Sequence, residues 1–183
     1  SNYKPLNLEN ANVFGVELEL RKKITDWIPG LRNLNLNFNG SYIISDEKYS
    51  EDELKLRTLG LREGETLGTS RQLQGQSPYL INTGIDYNQN EKGIQAGLYY
   101  NVQGKTLEVV GDGFYPDVYT MPFQSLNFNL IKQFKNNTSL TLRVNNILDD
   151  ERESLFEGYG GITEYFRLRH IGRTFSLGYS IKF

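Results

Sequence analysis

The feature that most constrains the fold of this chain is a period-two alternation of apolar and polar residues. It is clearest over residues 33–45. Because successive side chains of a β-strand point to opposite faces, the alternation predicts a strand with one apolar face and one amide-rich face. The apolar face would carry Leu34, Leu36, Phe38, Gly40, Tyr42 and Ile44, and the other would carry Asn33, Asn35, Asn37, Asn39, Ser41 and Ser45, with Ile43 as an exception.

Six further segments repeat this alternation, which brings the candidate strands to seven. Runs of this kind, separated by turn-forming residues, are typical of antiparallel sheets. The sequence therefore predicts an all-β, antiparallel fold. The six segments are residues 14–21, 79–88, 94–103, 125–130, 139–145 and 174–183.

The lengths of the strands and connections favour a transmembrane β-barrel over a soluble sandwich. Soluble strands usually run about five or six residues, whereas tilted membrane strands need about nine to eleven, and most of these runs are of the longer kind. Short turns on one side and long loops on the other are the outer-membrane arrangement. The short connections are residues 24–32, 88–92 and 135–137, and the long ones are residues 46–78, 105–122 and 149–172.

Bulk composition excludes several other classes of protein. The net charge of -2 over 183 residues provides no basic surface for nucleic acid. No run approaches the roughly 18 consecutive apolar residues of a membrane-spanning helix. The chain has no cysteine and one histidine, His170, so the usual zinc ligand sets and catalytic triads lack members. We expect no enzyme activity, catalytic residue, cofactor or metal centre.

The order of short and long connections also predicts an orientation. The last strand follows a long connection, so it would descend from outside and leave Phe183 in the periplasm. Every short turn would then be periplasmic and every long connection extracellular. Trp27 would lie at the periplasmic interface or plug its turn. Lys132 falls on the apolar face and would either snorkel towards the interface or mark a bulge.

The C-terminal residues resemble the β-signal of outer-membrane proteins. Ser176, Gly178, Ile181 and Phe183 occupy its polar, glycine, apolar and aromatic positions. The resemblance implies recognition by the barrel-assembly machinery. An amphipathic edge strand would offer unpaired backbone groups for β-augmentation.

A wider resemblance, over residues 12–183, is to the C-terminal barrel of TonB-dependent receptors, especially the Bacteroidota type. It implies a barrel of about 22 strands with an N-terminal plug. Residues 1–183 would then be the C-terminal part of the barrel domain, seven or eight strands, with the plug and N-terminal strands outside this chain. The segments that carry the resemblance are LQGQSPY at 73–79, VNNILD at 144–149 and RTFSLGY at 173–179.

The function implied by the resemblance is uptake of a scarce nutrient across the outer membrane of a Gram-negative bacterium. The ligand would be a siderophore, cobalamin, a glycan or a peptide. The implied partners are outer-membrane lipid, the remaining barrel and plug, the barrel-assembly machinery, TonB through the N-terminal region, and a surface lipoprotein. The start, SNYKPL, lacks the regions of a signal peptide. An exported protein would have lost that segment, or the chain would begin inside a longer one.

Two alternatives remain open from the sequence. A self-contained small barrel with a structural or adhesion role would take an eighth strand from residues 54–61. A soluble β-barrel ligand-binding module would bury the apolar face inside.

Several polar groups have both a functional and a plain interpretation. Two acidic runs, residues 46–53 and 149–157, could bind calcium, although solvated loop charge is favoured. The residues 111–113, Gly-Asp-Gly, predict a turn. Inward-facing Glu17, Glu19, Arg21 and Arg143 would contact a plug or line a solute path, or simply pair between neighbouring strands.

Overall fold

The computed structural model describes residues 10–26, 28, 31–160 and 163–182 and is predominantly antiparallel β-sheet. It contains one α-helix in that part of the chain, α1 (Glu51–Leu59), and short 3-10 turns at Ile24–Asp26 and Asn90–Lys92. The strands are β1 (Ala11–Lys23), β2 (Leu34–Lys48), β3 (Ser70–Arg71), β4 (Tyr79–Gln89), β5 (Ile94–Gln103), β6 (Thr106–Val109), β7 (Asp117–Thr120), β8 (Phe123–Gln133), β9 (Thr138–Asn145), β10 (Arg152–Glu157), β11 (Thr163–Arg169) and β12 (Thr174–Ile181).

The main sheet has the order β1-β2-β4-β5-β8-β9-β12, and each neighbouring pair is antiparallel. The two-residue strand β3 pairs with β2 at one end. All seven strands predicted from the alternation are present and lie in chain order, so the all-β, antiparallel prediction is confirmed.

The sheet is not closed into a barrel within the described residues. Its edges are β1 and β12, and neither pairs with another described strand on its outer side.

The register sorts the side chains of the main sheet into two continuous faces. An apolar row crosses six strands because each of its members lies opposite the next. The adjacent row crosses all seven strands and contains only polar residues and glycine. The apolar row is Leu36, Ile85, Leu98, Phe128, Val144 and Phe175, and the polar row is Lys23, Asn35, Asp86, Gly97, Asn129, Arg143 and Ser176.

The apolar face of the main sheet is not covered by a second layer. Leu18 is 64% exposed and Leu177 is 75% exposed. In the part of the chain that is described, the buried hydrophobic residues are Leu107 and Val118, and both lie outside the main sheet. The hydrophobic core that a soluble sandwich would form beneath this face is therefore not present in these residues.

Two of the three long connections, residues 105–122 and 149–172, form a second sheet with the order β11-β10-β7-β6, and the connection 46–78 contains α1 and β3. The pairs β5/β6, β7/β8, β9/β10 and β11/β12 are consecutive along the chain, separated by two to six residues. The four strands also keep the lateral order of their main-sheet partners. The second sheet is thus an interrupted continuation of four main-sheet strands.

The expectation of an eighth strand at residues 54–61 is wrong, because most of this segment belongs to α1. The Ser50 hydroxyl accepts a hydrogen bond from the Glu53 backbone N–H at 3.2 Å, which caps the helix. Three acidic residues in the first turn complement the positive end of the helix dipole: Glu51, Asp52 and Glu53. The segment ends at Gly60, whose N–H bonds back to the Leu56 carbonyl.

The three short connections meet at the end of the main sheet opposite the second sheet, as predicted. Pairing around Lys132 is continuous with Ile94 and Leu140, so this residue does not mark a bulge. Its ammonium group instead donates to the Lys92 carbonyl in the neighbouring turn. Trp27 and Phe183 lie outside the described residues.

No helix in the described ranges is both long enough and apolar enough to cross a membrane.

Candidate functional site

The most elaborate part of the molecule is the assembly of α1, β3, β6, β7, β10 and β11, which we call the cap. It is built from the three long connections, residues 46–78, 105–122 and 149–172. We expect ligand or partner contacts in these segments, because function concentrates in loops that a rigid scaffold holds.

Arg57 lies at the centre of the cap, and its side chain is fully buried. Its Nε donates to Glu53 Oε1 at 2.8 Å, and its Nη2 donates to Asp117 Oδ1 at 2.9 Å. Its Nη1 donates to the Tyr159 hydroxyl at 2.6 Å. Since Arg57, Asp117 and Tyr159 each belong to a different long connection, this one guanidinium ties all three together.

A second buried arginine extends the network towards the main sheet. Arg71 Nη2 lies 2.8 Å from Glu47 Oε1, and its Nη1 contacts Glu53, which thereby bridges both arginines. The Tyr49 ring centroid lies 4.8 Å from Arg57 Cζ and 5.3 Å from Arg71 Cζ, within cation-π range of both. We call these residues, with Asp117 and Tyr159, the arginine cluster.

Arg57 stays protonated because the effect of its acidic partners on its pKa outweighs the effect of burial. Burial alone would lower the pKa of Arg57, but the bonds to Asp117 and Glu53 raise it above its usual range. Burial raises the pKa of Tyr49 and of Tyr159. Burial, together with the charge of Asp117, raises the pKa of Tyr119 to about 12. The tyrosines are therefore neutral at physiological pH, which suits packing and hydrogen bonding.

A polar row also crosses the second sheet from edge to edge. Glu108 Oε2 on β6 accepts from Thr120 Oγ1 on β7 at 2.9 Å and from Ser154 Oγ on β10 at 2.6 Å. Arg167 on β11 donates to Glu108 Oε1. Partial burial would raise the pKa of Glu108, but these hydrogen bonds and the Arg167 charge hold it below its ordinary value.

The motif VNNILD forms the junction between the main sheet and the cap. Asn146 adopts a left-handed conformation with a φ of 53°. Its side-chain amide donates to the Asp150 carbonyl at 3.2 Å and to the Gly172 carbonyl at 3.1 Å. It thus links the break between β9 and β10 to the break between β11 and β12. The role of the motif visible here is structural.

The polar face of the main sheet contains a tyrosine held flat against two glycines. A Cβ on Gly97 would meet ring atoms of Tyr99 at 2.6 Å, and one on Gly84 would meet the same ring at 2.6 Å. The Tyr99 hydroxyl donates to Asp86, and Asp86 also accepts from Asn37. The glycines therefore make room for an aromatic ring whose polar end is fixed by hydrogen bonds.

The four charged residues expected on the inward side all lie on this polar face. Glu17 accepts from Asn39 Nδ2 at 2.9 Å, a bond between neighbouring strands. Arg21 Nη2 lies 2.7 Å from Glu19 Oε1, a pair along one strand. Arg143 lies opposite Asn129 and Ser176. Pairing within the main sheet thus accounts for part of this set, and contact with a plug or solute stays a prediction.

Three of the four predicted assembly-signal residues lie on the edge strand β12. Ser176 and Gly178 lie on the polar face, opposite Arg143 and Thr141. Ile181 lies on the other face, opposite Thr138. The fourth, Phe183, is outside the described residues. Recognition of this strand by the assembly machinery stays a prediction.

The acidic runs are largely used in local contacts. Glu47 and Glu53 belong to the arginine cluster, Glu157 pairs with Lys105, and Asp150 accepts from the Gln124 backbone N–H at 2.8 Å. No group of three His, Cys, Asp or Glu residues that could hold a metal ion occurs in the described ranges.

The remaining sequence predictions concern single positions. The 111–113 segment forms the predicted turn, in which Asp112 Oδ1 accepts from the N–H groups of Phe114 and Tyr115. His170 is exposed, with Nδ1 2.7 Å from Glu151 Oε1.

Sequence reasoning missed the cap as an ordered unit. The serine and glutamate at positions 50 and 53 form the N-terminal signature of a helix and were a usable signal for α1. No comparable local signal identified Arg57 or Arg71 as buried, because their partners lie on other connections.

No family model matches the chain, and comparisons with curated proteins and with solved structures gave no match. The likeness to TonB-dependent receptors therefore stands on the sequence segments alone.

Proposed function

We propose that this chain forms part of the wall of a transmembrane β-barrel in a bacterial outer membrane and serves TonB-dependent uptake of a scarce nutrient. The observation that carries the proposal is the continuous, uncovered apolar face of the main sheet. In water, such a face would strongly favour association. In a bilayer it would be solvated by lipid, while the polar face would line a hydrated lumen.

The positions of charged groups support the same assignment. A charge at the midplane of the lipid-facing surface costs about 2–4 kcal/mol. Lys22 and Lys132 lie on the apolar face near the end of the sheet that carries the short connections, and the ammonium group of Lys132 reaches the Lys92 carbonyl in the turn there. Glu17, Glu19, Arg21 and Arg143 share the opposite face.

The cap supports a receptor rather than a purely structural wall. In the proposed orientation, the short turns and Phe183 are periplasmic and the cap is extracellular. Three connections joined by the arginine cluster would present one preformed surface to a siderophore, cobalamin, glycan or peptide. The remaining barrel, the plug, TonB, the assembly machinery and a surface lipoprotein enter as partners through the sequence resemblance.

The two alternatives are less well supported. A soluble module requires the apolar face to be buried inside the protein, whereas Leu18, Leu177 and their neighbours on that face are exposed. A small closed barrel loses the extra strand that residues 54–61 were expected to supply.

Fractionation of cells that produce the full-length protein tests the membrane assignment. We expect recovery in the outer-membrane fraction, resistance to extraction by alkaline carbonate, and release by detergent. Recovery as a soluble species without detergent would contradict the assignment.

Growth of a deletion strain tests the uptake assignment separately. We expect loss of growth when one of the four nutrient classes is supplied at limiting concentration, and recovery when the full-length protein is restored. If recovery is equally good in a strain without TonB, energised uptake is contradicted even though a membrane location stands.

A further inference from the structure

One edge of the second sheet, at β6, is covered by another segment of the chain, and the other edge, at β11, is open within the described residues. On the outer side of β6, the Gly75 N–H donates to the Leu107 carbonyl at 2.9 Å, and Gln74 Nε2 donates to the Glu108 carbonyl at 2.8 Å. This edge is thus covered by the chain's own 72–76 segment. The outer side of β11 has no described strand beside it.

The strand β11 is exposed along its whole length. All seven of its residues are exposed, and Tyr165 and Leu168 are 64% and 52% exposed. A strand that is open on its edge and on both faces is a ready template for pairing, and proteins usually shorten, charge or cover such edges. The second sheet covers one of its two edges in this way, at β6, where the 72–76 segment lies.

The open edge of β11 lies on the same side of the shared strand order as the open edge of β12. The two sheets share the same lateral order, and β11 is the continuation of β12 beyond the break at residues 170–173. The two strands therefore present one interrupted edge that runs from the main sheet into the cap.

Backbone directions identify the amides that point out of this edge. The Glu153 carbonyl accepts from the N–H of Met121, the residue directly after β7, so the backbone groups of Glu153 point away from β11. Leu168 lies opposite Glu153, so the N–H of Leu168 also points away from β10 and out of the sheet.

The same reasoning applies to β12. The Lys182 N–H donates to the Asn137 carbonyl at 3.0 Å, towards β9. Backbone N–H groups alternate in direction along a strand. Counting back from Lys182, the N–H of Ser176 points towards β9 and the N–H of Leu177 points away from it, out of the sheet.

We propose that this edge is paired along both strands: an extended strand of the same receptor, contributed from outside this chain, adds antiparallel to β12 and continues past the break to pair with β11. This inference rests on the proposed function, because barrel closure supplies the partner of β12. What it adds is that the strand pairing that closes the barrel at β12 continues into the cap at β11. The partner is assigned to the same receptor because the β11 edge is continuous with the β12 edge.

Residue-resolved hydrogen exchange on the full-length protein in membranes tests the proposal. If both strands are paired, the amides of Leu168 and Leu177 exchange at least about tenfold more slowly than unprotected amides. The inward amides of Arg169 and Ser176, which bond within the sheet, serve as protected references.

The outcomes separate this inference from the proposed function. Protection of Leu177 with fast exchange at Leu168 overturns pairing in the cap and leaves barrel closure standing. Fast exchange at both overturns both. Protection of Leu168 that appears only in an oligomeric fraction assigns the edge to a second copy and overturns the intramolecular partner.

Proline substitution provides a second measurement. Leu168→Pro removes an N–H that makes no bond within the described residues, and Leu168→Ala is its control for loss of the side chain. We expect a severalfold lower yield of assembled, heat-resistant receptor for Leu168→Pro than for Leu168→Ala. Equal yields would overturn the pairing of β11.

Discussion

Arg57 on α1 donates a hydrogen bond to Asp117 on β7 across 2.9 Å, although the two residues are 60 positions apart and belong to different long connections. The pair is almost completely buried, with side-chain exposures of 0% and 5%. Removal of one partner of such a pair leaves an uncompensated buried charge. The integrity of the cap should therefore depend on this contact far more than on surface ion pairs.

Replacement of Arg57 tests that dependence. We predict that Arg57→Leu destabilises the cap by roughly 3–5 kcal/mol, because buried Asp117 loses its counter-charge and Glu53 keeps only Arg71. Limited proteolysis within residues 46–78, 105–122 and 149–172 should become faster in all three segments together. Lys55→Ala on the same helix is the matched control, since the ion pair of Lys55 with Asp52 is exposed and is its only one among the described residues. Unchanged proteolysis in the Arg57 variant would contradict a cap held by the arginine cluster.

Asn146 allows its backbone and side-chain contributions to be separated. Its φ of 53° costs a residue such as alanine about 1–2 kcal/mol, which glycine does not incur. Both substitutions lose the bonds to Asp150 and Gly172. We predict that Asn146→Gly is destabilising and that Asn146→Ala is more so, as judged by denaturant unfolding of the assembled protein. Equal stability of wild type and Asn146→Gly would show that the side-chain bridge between the two strand breaks is unimportant.

Gly97 should be intolerant of even the smallest side chain. A Cβ there would meet the Tyr99 ring at 2.6 Å, whereas one at Gly178 would meet nothing closer than Thr141 Cβ at 3.8 Å. We predict that Gly97→Ala reduces the yield of assembled protein and that Gly178→Ala leaves the stability of the assembled protein unchanged. A stable Gly97→Ala protein would refute the close packing of Tyr99. Poor assembly but normal stability of Gly178→Ala would place the need for that glycine in recognition by the assembly machinery.

The seven main-sheet strands could be predicted because one face of each strand is apolar and the other is polar. Successive side chains point to opposite faces, so this difference appears in the sequence as a period-two alternation. Residues 33–45 specify both the strand and its faces without reference to any partner. The cap could not be predicted in the same way. The four strands of the second sheet have only four to seven residues, and their polar row from Glu108 to Arg167 depends on pairing between segments distant in sequence.

The same difference separates the site residues that could be predicted from the sequence from those that could not. The faces of Glu17, Glu19, Arg21 and Arg143 follow from parity alone. The burial of Arg57 does not, because an isolated helix with a lysine, an arginine and three acidic residues reads as a solvated surface helix. Arg57 is buried because Asp117 and Tyr159, which belong to other connections, pack against it and accept its hydrogen bonds.

The stability of the cap should also respond to acid through Glu108. Its pKa lies below the ordinary value of 4.5, so the carboxylate stabilises the folded cap fully above that value and loses this contribution as pH falls through the lowered pKa. We predict that wild type resists proteolysis by pepsin better than Glu108→Gln at the upper end of the acid range, and that the difference disappears as pH falls further. A difference that grows with acidification would contradict the sign of the shift.

The central claim is that one face of the main sheet contacts lipid and the other contacts water. Residues 1–183 contain no cysteine, so single cysteines placed on adjacent residues of β9 and β12, in the full-length protein within its membrane, meet no competing thiol from this part of the chain. With a water-soluble thiol reagent, we predict rapid labelling at Arg143→Cys and Ser176→Cys. Labelling at Leu142→Cys and Leu177→Cys should be slower by about tenfold or more, because a thiol buried among lipid chains is withheld from an aqueous reagent. Equal or faster labelling at the two leucine positions would contradict the account.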